Sequence, residues 1–207
     1  MPTSLGMTVT RILACLAALA VAGFYFGPHR NLEADEAELA SIATVIAGRD
    51  VAISCPGTLA SLTEVSAQDG SVVFTPDGKP ADEAKLSGQT CRTLRRFLHG
   101  EVAGLACLAK PGKECAPEVE EAAIAVNVLS HEAWHLAGVR DEAATQCYAL
   151  QTNADTAMRL GASREDAGAI AAYIVREVQP VLPADYRSRE CFESGPLDLR
   201  PELASWP

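Results

Sequence analysis

The sequence predicts a mainly α-helical α+β fold, with short β-strands in the N-terminal half, a helical core and several disulfides. Apolar residues recur at helical spacing over most of the chain after residue 117. In the first half, two short apolar runs are separated from their neighbours by turn-forming residues, a pattern typical of strands. Six of the seven cysteines lie outside an apolar N-terminal segment, and an even number in an exported protein indicates disulfides.

The N-terminal segment indicates export. Residues 12–26 form an almost unbroken apolar run after Arg11. This run is shorter than the about 20 residues of a membrane span, but it suits the core of a signal peptide. A small-x-small pattern at residues 20–22 is typical of a cleavage site. We therefore predict that residues 1–28 are a signal peptide or, if uncut, an N-terminal membrane anchor, and that residues 29–207 form a single ectodomain outside the cytoplasm.

The N-terminal half of the ectodomain combines helices and strands. Residues 51–54 and 71–75 read as short strands, and residues 76–78 form a turn between extended segments. Ser87 is the predicted cap of a helix over residues 89–98. An amphipathic helix precedes the first strand, and its apolar stripe contains Leu32, Leu39, Ile42 and Ile46.

A pair of helices over residues 117–161 is predicted to carry the functional site. Pro117 suits the first turn of a helix that runs to about residue 137. Asp141 is the predicted cap of the following helix, which ends at about residue 160. The second half of the first helix is apolar almost all round, and a buried helix excludes polar groups unless they are paired or bound to metal. The polar exceptions are Asn127, Ser130, His131, Glu132 and His135.

The remaining chain is interpreted as structural. A third helix begins at Ser163 and stops before Pro180. The proline-rich residues 181–207 are predicted to cover the domain as a coil that Cys191 fixes in place, with a cleft-lining role for residues 183–187 as the less favoured alternative. From proximity along the chain, and from the turn between the middle two cysteines, the predicted disulfides are Cys55–Cys91, Cys107–Cys115 and Cys147–Cys191.

The most specific motif is His131-Glu132-Ala133-Trp134-His135, which has the pattern H-E-x-x-H within a predicted helix. Residues four apart lie on one face of a helix, so both imidazoles can bind the same metal ion. Glu132 lies beside that metal, where a carboxylate can take a proton from water. The motif therefore predicts a zinc site with Glu132 as the catalytic base.

The motif resembles that of the zincin superfamily of zinc peptidases, in which two histidines bind zinc and the intervening glutamate is the general base. Residues from about 117 to 191 also resemble a small group of uncharacterised exported bacterial metallopeptidases, which share H-E-x-x-H, a short turn, an acidic residue and then a helix with cysteine. The resemblance implies an exported Zn²⁺-dependent peptidase, with His131 and His135 as metal ligands and Glu132 as the base.

Two acidic residues compete to be the third metal ligand. Asp141 completes a metzincin-like string, but the methionine turn of those families is missing, because Met158 lies inside a predicted helix. Glu142 on the following helix fits a gluzincin-like pattern, although its gap from His135 is unusually short. We expect Glu142 to be the ligand, with Asp141 as the helix cap and Gln146 orienting a ligand histidine.

A peptidase also needs a donor for the developing oxyanion and a surface that holds the substrate. The edge of the strand at residues 72–74 is the predicted substrate surface. The sequence leaves four candidates open for the oxyanion donor: Arg140, Tyr148, Tyr173 and Tyr186.

The charge of the chain limits its partners. A net charge of −10 argues against nucleic acid, because phosphate binding needs a basic patch. The expected partner is a peptide or protein substrate, with the membrane contacted only through an uncut N-terminal segment. Two alternatives remain: an extracellular domain with a purely structural zinc, and a disulfide-stapled binding module in which the motif is coincidental.

Overall fold

Five α-helices and a three-stranded sheet make up the computed structural model, which describes residues 32–57, 69–203 and 206. The predicted leader, residues 1–28, lies outside the described residues. None of the helices in the described part of the chain has the length and apolar composition needed to cross a bilayer. The helices are α1 (32–47), α2 (Gly88–Leu98), α3 (Pro117–Leu136), α4 (Glu142–Arg159) and α5 (Arg164–Tyr173).

The sheet has the strand order β1-β3-β2. Its strands are β1 (Ala52–Ser54), β2 (Gly70–Phe74) and β3 (Pro80–Leu86). Strand β3 pairs in parallel with β1 and antiparallel with β2. Among the described residues β2 pairs on one side only, which leaves its other edge open.

Strand β3 is predicted from the sequence only as an extended segment after the turn. It begins with a proline and carries two acidic residues and a lysine, all of which are depleted in strands. Proline is tolerated at the first residue of a strand. Ala84 and Leu86 are buried in the core, so tertiary packing rather than local preference makes this segment the central strand.

The predicted boundaries of the helices that precede α5 agree with the structure to within one or two residues. Ser87 caps α2, and its side chain accepts a hydrogen bond from the backbone of Thr90. Pro117 occupies the first turn of α3. Asp141 caps α4 by accepting from the backbone of Ala144 at 2.8 Å. These local signals fix where each helix begins.

Helix α3 lies at the centre of the fold, in contact with α2, α4 and the sheet. Most of its apolar side chains are buried in the core, and Val126, Leu129 and Leu136 have no exposed surface, whereas Ile124 and Val128 are half-buried. The packing of the buried faces fixes the position of the polar groups that the helix carries. The mainly helical α+β fold class is therefore confirmed.

All three predicted disulfides are present: Cys55–Cys91, Cys107–Cys115 and Cys147–Cys191. Such bonds persist in oxidising compartments outside the cytoplasm. The third bond ties α4 to the C-terminal segment. Gln151 reinforces that contact, because its side-chain amide donates to the carbonyl of Leu197 and accepts from the backbone of Leu199.

The sequence predicts that the third helix runs almost to Pro180 and favours a covering role for the segment after it, and the structure departs from both expectations. Helix α5 ends at Tyr173, and the chain continues through a π-helical turn at Ile174–Val178 and 3-10 turns at Gln179–Val181 and Ala184–Tyr186. The change in winding precedes Pro180, which cannot continue the helical hydrogen bonds. This segment turns back over α3 and α4 and borders the candidate site.

Candidate metal centre

Three side chains from the predicted set converge on one point. His131 and His135 lie one turn apart on α3, and Glu142 is the first residue of α4. Oxygen Oε2 of Glu142 lies 3.0 Å from Nε2 of His131 and 3.3 Å from Nε2 of His135. The ligand atoms of all three residues lie within 4.8 Å of one another. The arrangement is compatible with a metal site.

Hydrogen bonds on the far side of each imidazole fix its tautomer. Nδ1 of His135 donates to the carbonyl of Val139 at 2.7 Å, because a backbone carbonyl is only an acceptor. Nδ1 of His131 lies 3.1 Å from the amide oxygen of Gln146 and is likewise the donor. Both Nε2 atoms face the Glu142 carboxylate. A proton on Nε2 or a shared cation can join these groups, and the Nε2 lone pair of a neutral imidazole is the form that binds metal.

Burial and hydrogen bonding shift the pKa values of two of these groups, His135 and Glu142. The pKa of His135 is lowered, chiefly because burial disfavours the imidazolium and secondly because His131 lies close by. The pKa of Glu142 is also lowered, chiefly by its hydrogen bond with His131. A neutral histidine and an ionised carboxylate are the forms that bind a metal ion.

The short turn between α3 and α4 explains why Glu142, rather than Asp141, joins the histidines. Gly138 follows the C-terminus of α3 with φ at +103°, a left-handed conformation that favours glycine. The chain then reverses within a few residues, and Asp141 is occupied as the cap of α4. Glu142 lies one residue further on, and 41% of its side chain is exposed towards the cleft. A helix N-terminus also stabilises the negative charge there.

A network of buried amides lies behind His131. The amide nitrogen of Gln146 donates to Asn127 at 3.2 Å and to the amide oxygen of Gln179 at 3.1 Å. Asn153 donates to the same oxygen of Asn127 at 3.0 Å. Gln146 therefore orients His131, as predicted, and the network extends to the C-terminal segment. The part played by Gln179 was not predicted, because a glutamine before a proline carries no signal in the sequence.

Glu132 lies beside the three ligands and points into the cleft. Only 5% of its surface is exposed, and Oε2 has no hydrogen-bond partner among the described residues. Burial is the main cause that raises its pKa from 4.5 to about 7. A carboxyl group with a pKa near neutrality is suited both to accept and to release a proton.

Strand β2 passes so close to Glu132 that Gly70 has no room for a side chain. A β-carbon at that position would lie 2.6 Å from Oε1 of Glu132 and 2.7 Å from its Cγ. Any larger residue would displace the carboxyl group or the strand. Gly70 is thus a site residue that the sequence does not predict, since a lone glycine in a strand marks a bulge or a bend as often as a close approach.

A cleft of about 310 Å³ opens above the three ligands and Glu132. One wall is β2, including Val72 and Phe74, and the ring of Phe74 lies edge-on to His135 at 5.8 Å. The predicted strand edge at residues 72–74 therefore borders the site. Arg140 also contacts Phe74, with its guanidinium carbon 5.9 Å from the ring centroid.

Only two of the four candidate oxyanion donors line the cleft. Tyr148 packs against Trp134 at 5.0 Å between ring centroids, and Tyr173 lines a different cavity with Glu120 and Arg176. Tyr186 and Arg140 both line the cleft. The Tyr186 ring lies 5.5 Å from that of His131, so the C-terminal segment predicted to be a plain cover supplies part of the site.

In comparisons with protein-family models, with curated proteins and with solved structures, the chain matches none. The resemblance to zincins therefore depends on the H-E-x-x-H motif and on the convergence of His131, His135 and Glu142.

Proposed function

We propose that this protein is an exported zinc-dependent peptidase. The observation that carries the proposal is the convergence of two imidazoles and one carboxylate at the edge of an open cleft, beside a buried carboxyl group whose Oε2 has no hydrogen-bond partner among the described residues. Two histidines and one carboxylate are the ligand set of catalytic zinc sites, which keep a fourth position open. When bound, zinc supplies Lewis acidity that lowers the pKa of water and polarises a peptide carbonyl.

The residues of the chain account for the remaining requirements of hydrolysis. Glu132 accepts a proton from the attacking water as the oxygen bonds to the carbonyl carbon. It then delivers this proton to the amine that leaves when the C–N bond breaks. Tyr186 and Arg140 border the same cleft, where a hydrogen-bond donor stabilises the negative charge that develops on the carbonyl oxygen.

The edge of β2 that has no partner strand among the described residues suits an extended peptide. A peptide that adds to a free strand edge is bound by its backbone, and its alternate side chains point into flanking pockets. Gly70, Val72 and Phe74 of β2 line the cleft that also holds Glu132. A substrate strand placed beside β2 would carry its backbone carbonyls past the metal ligands.

The proposal is tested by metal content and cleavage together. We expect one zinc per chain in the oxidised protein, retained in Asp141→Ala and lost in Glu142→Ala. Glu132→Gln should keep zinc and lose cleavage of a peptide library by about 100- to 10,000-fold. Glu121→Gln, at an exposed position on the same helix, is the matched control and should retain both.

Two results would contradict the proposal. A wild-type protein that takes up no zinc, even after reloading, would exclude a zinc hydrolase. A protein that binds zinc, unfolds when it is removed and cleaves no peptide would instead support a purely structural metal.

A further inference from the structure

A second cavity, of about 300 Å³, opens beside Glu132 on the side away from Glu142. Its floor is formed by α3, where Ile124 and Val128 precede Glu132 by two turns and one turn on the same helix face. Both side chains are only half-buried, although the neighbouring apolar residues of α3 are sealed in the core. The face of α3 that leads to Glu132 is thus apolar and accessible.

The opposite wall of this cavity comes from the segment after α5. Val178, Leu182 and Pro183 face the helix across the cavity. Two contacts hold this segment against α4: the bond from Gln146 to Gln179 and the disulfide that joins Cys147 to Cys191. The segment that forms this wall is therefore fixed in place by contacts with the rest of the fold.

The cavity adjoins the cleft above the candidate metal ligands. Gly70, His131, Glu132 and Tyr186 line both spaces. A peptide bond placed at Glu132 would have an adjoining side chain within reach of the cavity. Asp69 is the one ionisable side chain of the lining other than His131, Glu132 and Tyr186, and it is exposed at the rim.

From these contacts we propose that the cavity selects a large aliphatic or aromatic side chain next to the scissile bond. The inference rests on the proposed peptidase function and adds its substrate class. Ligand pockets span about 300–1,000 Å³, so a cavity at the lower limit accepts one side chain rather than a whole folded ligand. Five side chains of the lining are aliphatic, and the amides of Asn127 and Gln146 are bonded to each other. The two carboxylates lie at the rim (Asp69) and at the boundary with the cleft (Glu132). The ammonium group of a lysine would lose hydration against the aliphatic side chains, which disfavours a charge there.

Binding to the zinc-loaded Glu132→Gln protein tests this selection without depending on turnover. The probes are short polyalanine peptides, blocked at both ends, with one guest residue: alanine, leucine, phenylalanine or lysine. Burying a large apolar side chain should make the leucine and phenylalanine peptides bind about 10- to 100-fold more tightly than the alanine peptide. The lysine peptide should gain no such increase. Calorimetry measures each Kd.

Two further substitutions and one control, each made in the Glu132→Gln protein, test whether the preference for leucine arises in this cavity. Val128→Trp fills the cavity and should reduce the gain for leucine to less than about threefold, whereas Val45→Trp on the exposed face of α1 should leave the gain intact. Leu182 lies in the outer wall of the cavity, and its replacement by alanine disturbs no core packing. It should weaken leucine binding and retain phenylalanine binding, because the enlarged cavity favours the larger side chain.

Equal affinities for the alanine and leucine peptides would overturn the assignment of the cavity, as would a leucine preference that survives both substitutions. Failure of the peptidase proposal has a different signature. In that case the wild-type protein would bind leucine peptides with the expected preference and cleave none of them.

Discussion

Replacing Glu132 by glutamine should stabilise the metal-free protein, and the gain should grow with pH. The pKa of Glu132 is raised from 4.5 to about 7 in the folded state, chiefly by burial. A carboxyl group whose pKa rises on folding contributes its stability fully below its unfolded pKa, here 4.5. That contribution is lost as the pH rises through about 7. Glutamine has a similar shape and carries no charge at any of these pH values.

The magnitude follows from the difference between the folded and unfolded pKa values. Each pKa unit corresponds to about 1.36 kcal/mol, so ionising this buried group at pH 8 costs about 3 kcal/mol of folding free energy. At pH 4.5 the carboxyl group is mostly protonated in the folded protein. Its ionisation should then contribute less than about 0.5 kcal/mol to the difference in unfolding free energy between the two proteins. For a chain of this size 1 kcal/mol shifts Tm by about 2–4 °C, which predicts a gap of about 6–12 °C at pH 8.

Thermal unfolding in excess chelator, from pH 4.5 to 8, measures this gap directly. Glu121→Gln on the exposed side of α3 is the control, and its Tm should follow that of the wild type throughout. A gap between Glu132→Gln and the wild type that stays constant with pH would refute the reasoning. A wild type that is the more stable protein at pH 8 would refute it as well. Added zinc should narrow the gap, since a nearby cation favours the ionised carboxylate.

Three other substitutions test the surroundings of the site. Gly70→Ala should reduce peptide cleavage by about 10- to 100-fold with zinc content unchanged, because its β-carbon displaces the carboxyl group of Glu132. The control Gly168→Ala, in open space on α5, should instead raise the free energy of unfolding by about 0.5–1 kcal/mol. Full activity in both variants would contradict the steric argument. Gln146→Leu should weaken zinc binding by about 10- to 100-fold in a competition titration, because His131 loses the acceptor that orients it, and an unchanged zinc Kd would show that this bond is dispensable. Replacing both Cys147 and Cys191 by alanine opens a loop with a sequence separation of 44 residues; a loop of that size predicts a loss of about 4 kcal/mol in denaturant unfolding, and an unchanged midpoint would contradict it.

The parts of the structure that the sequence predicts are those fixed by local chemistry. Helix α4 begins where Asp141 caps it, and α3 begins at Pro117, because capping preferences act within one turn. Strand β3 resists prediction for the opposite reason. Its proline and charged residues disfavour a strand, and the burial of Ala84 and Leu86 in the core holds it at the centre of the sheet.

The candidate site likewise combines residues that local patterns predict with residues that only long-range contacts bring together. The three ligand residues lie within a stretch of twelve residues, 131–142, so helix periodicity and one short turn are enough to bring them together. Gly70 and Tyr186 reach the same cleft from distant parts of the chain. Their approach depends on the sheet, on the turns after α5 and on a disulfide, and none of these long-range contacts leaves a periodic signal near the motif.

This division bears on how the proposed metal site and the proposed side-chain selectivity are connected. The α3–α4 pair carries the candidate metal ligands and has its own buried support in Asn127 and Gln146. The cavity beside Glu132 needs one more wall, and this wall is attached to the pair through Gln179 and the Cys147–Cys191 bond. Changes in the C-terminal segment can therefore reshape the cavity while the histidines keep their positions. Reducing that disulfide should then alter which peptides bind before it alters zinc content, and an equal loss of both would show that the two parts are not separable.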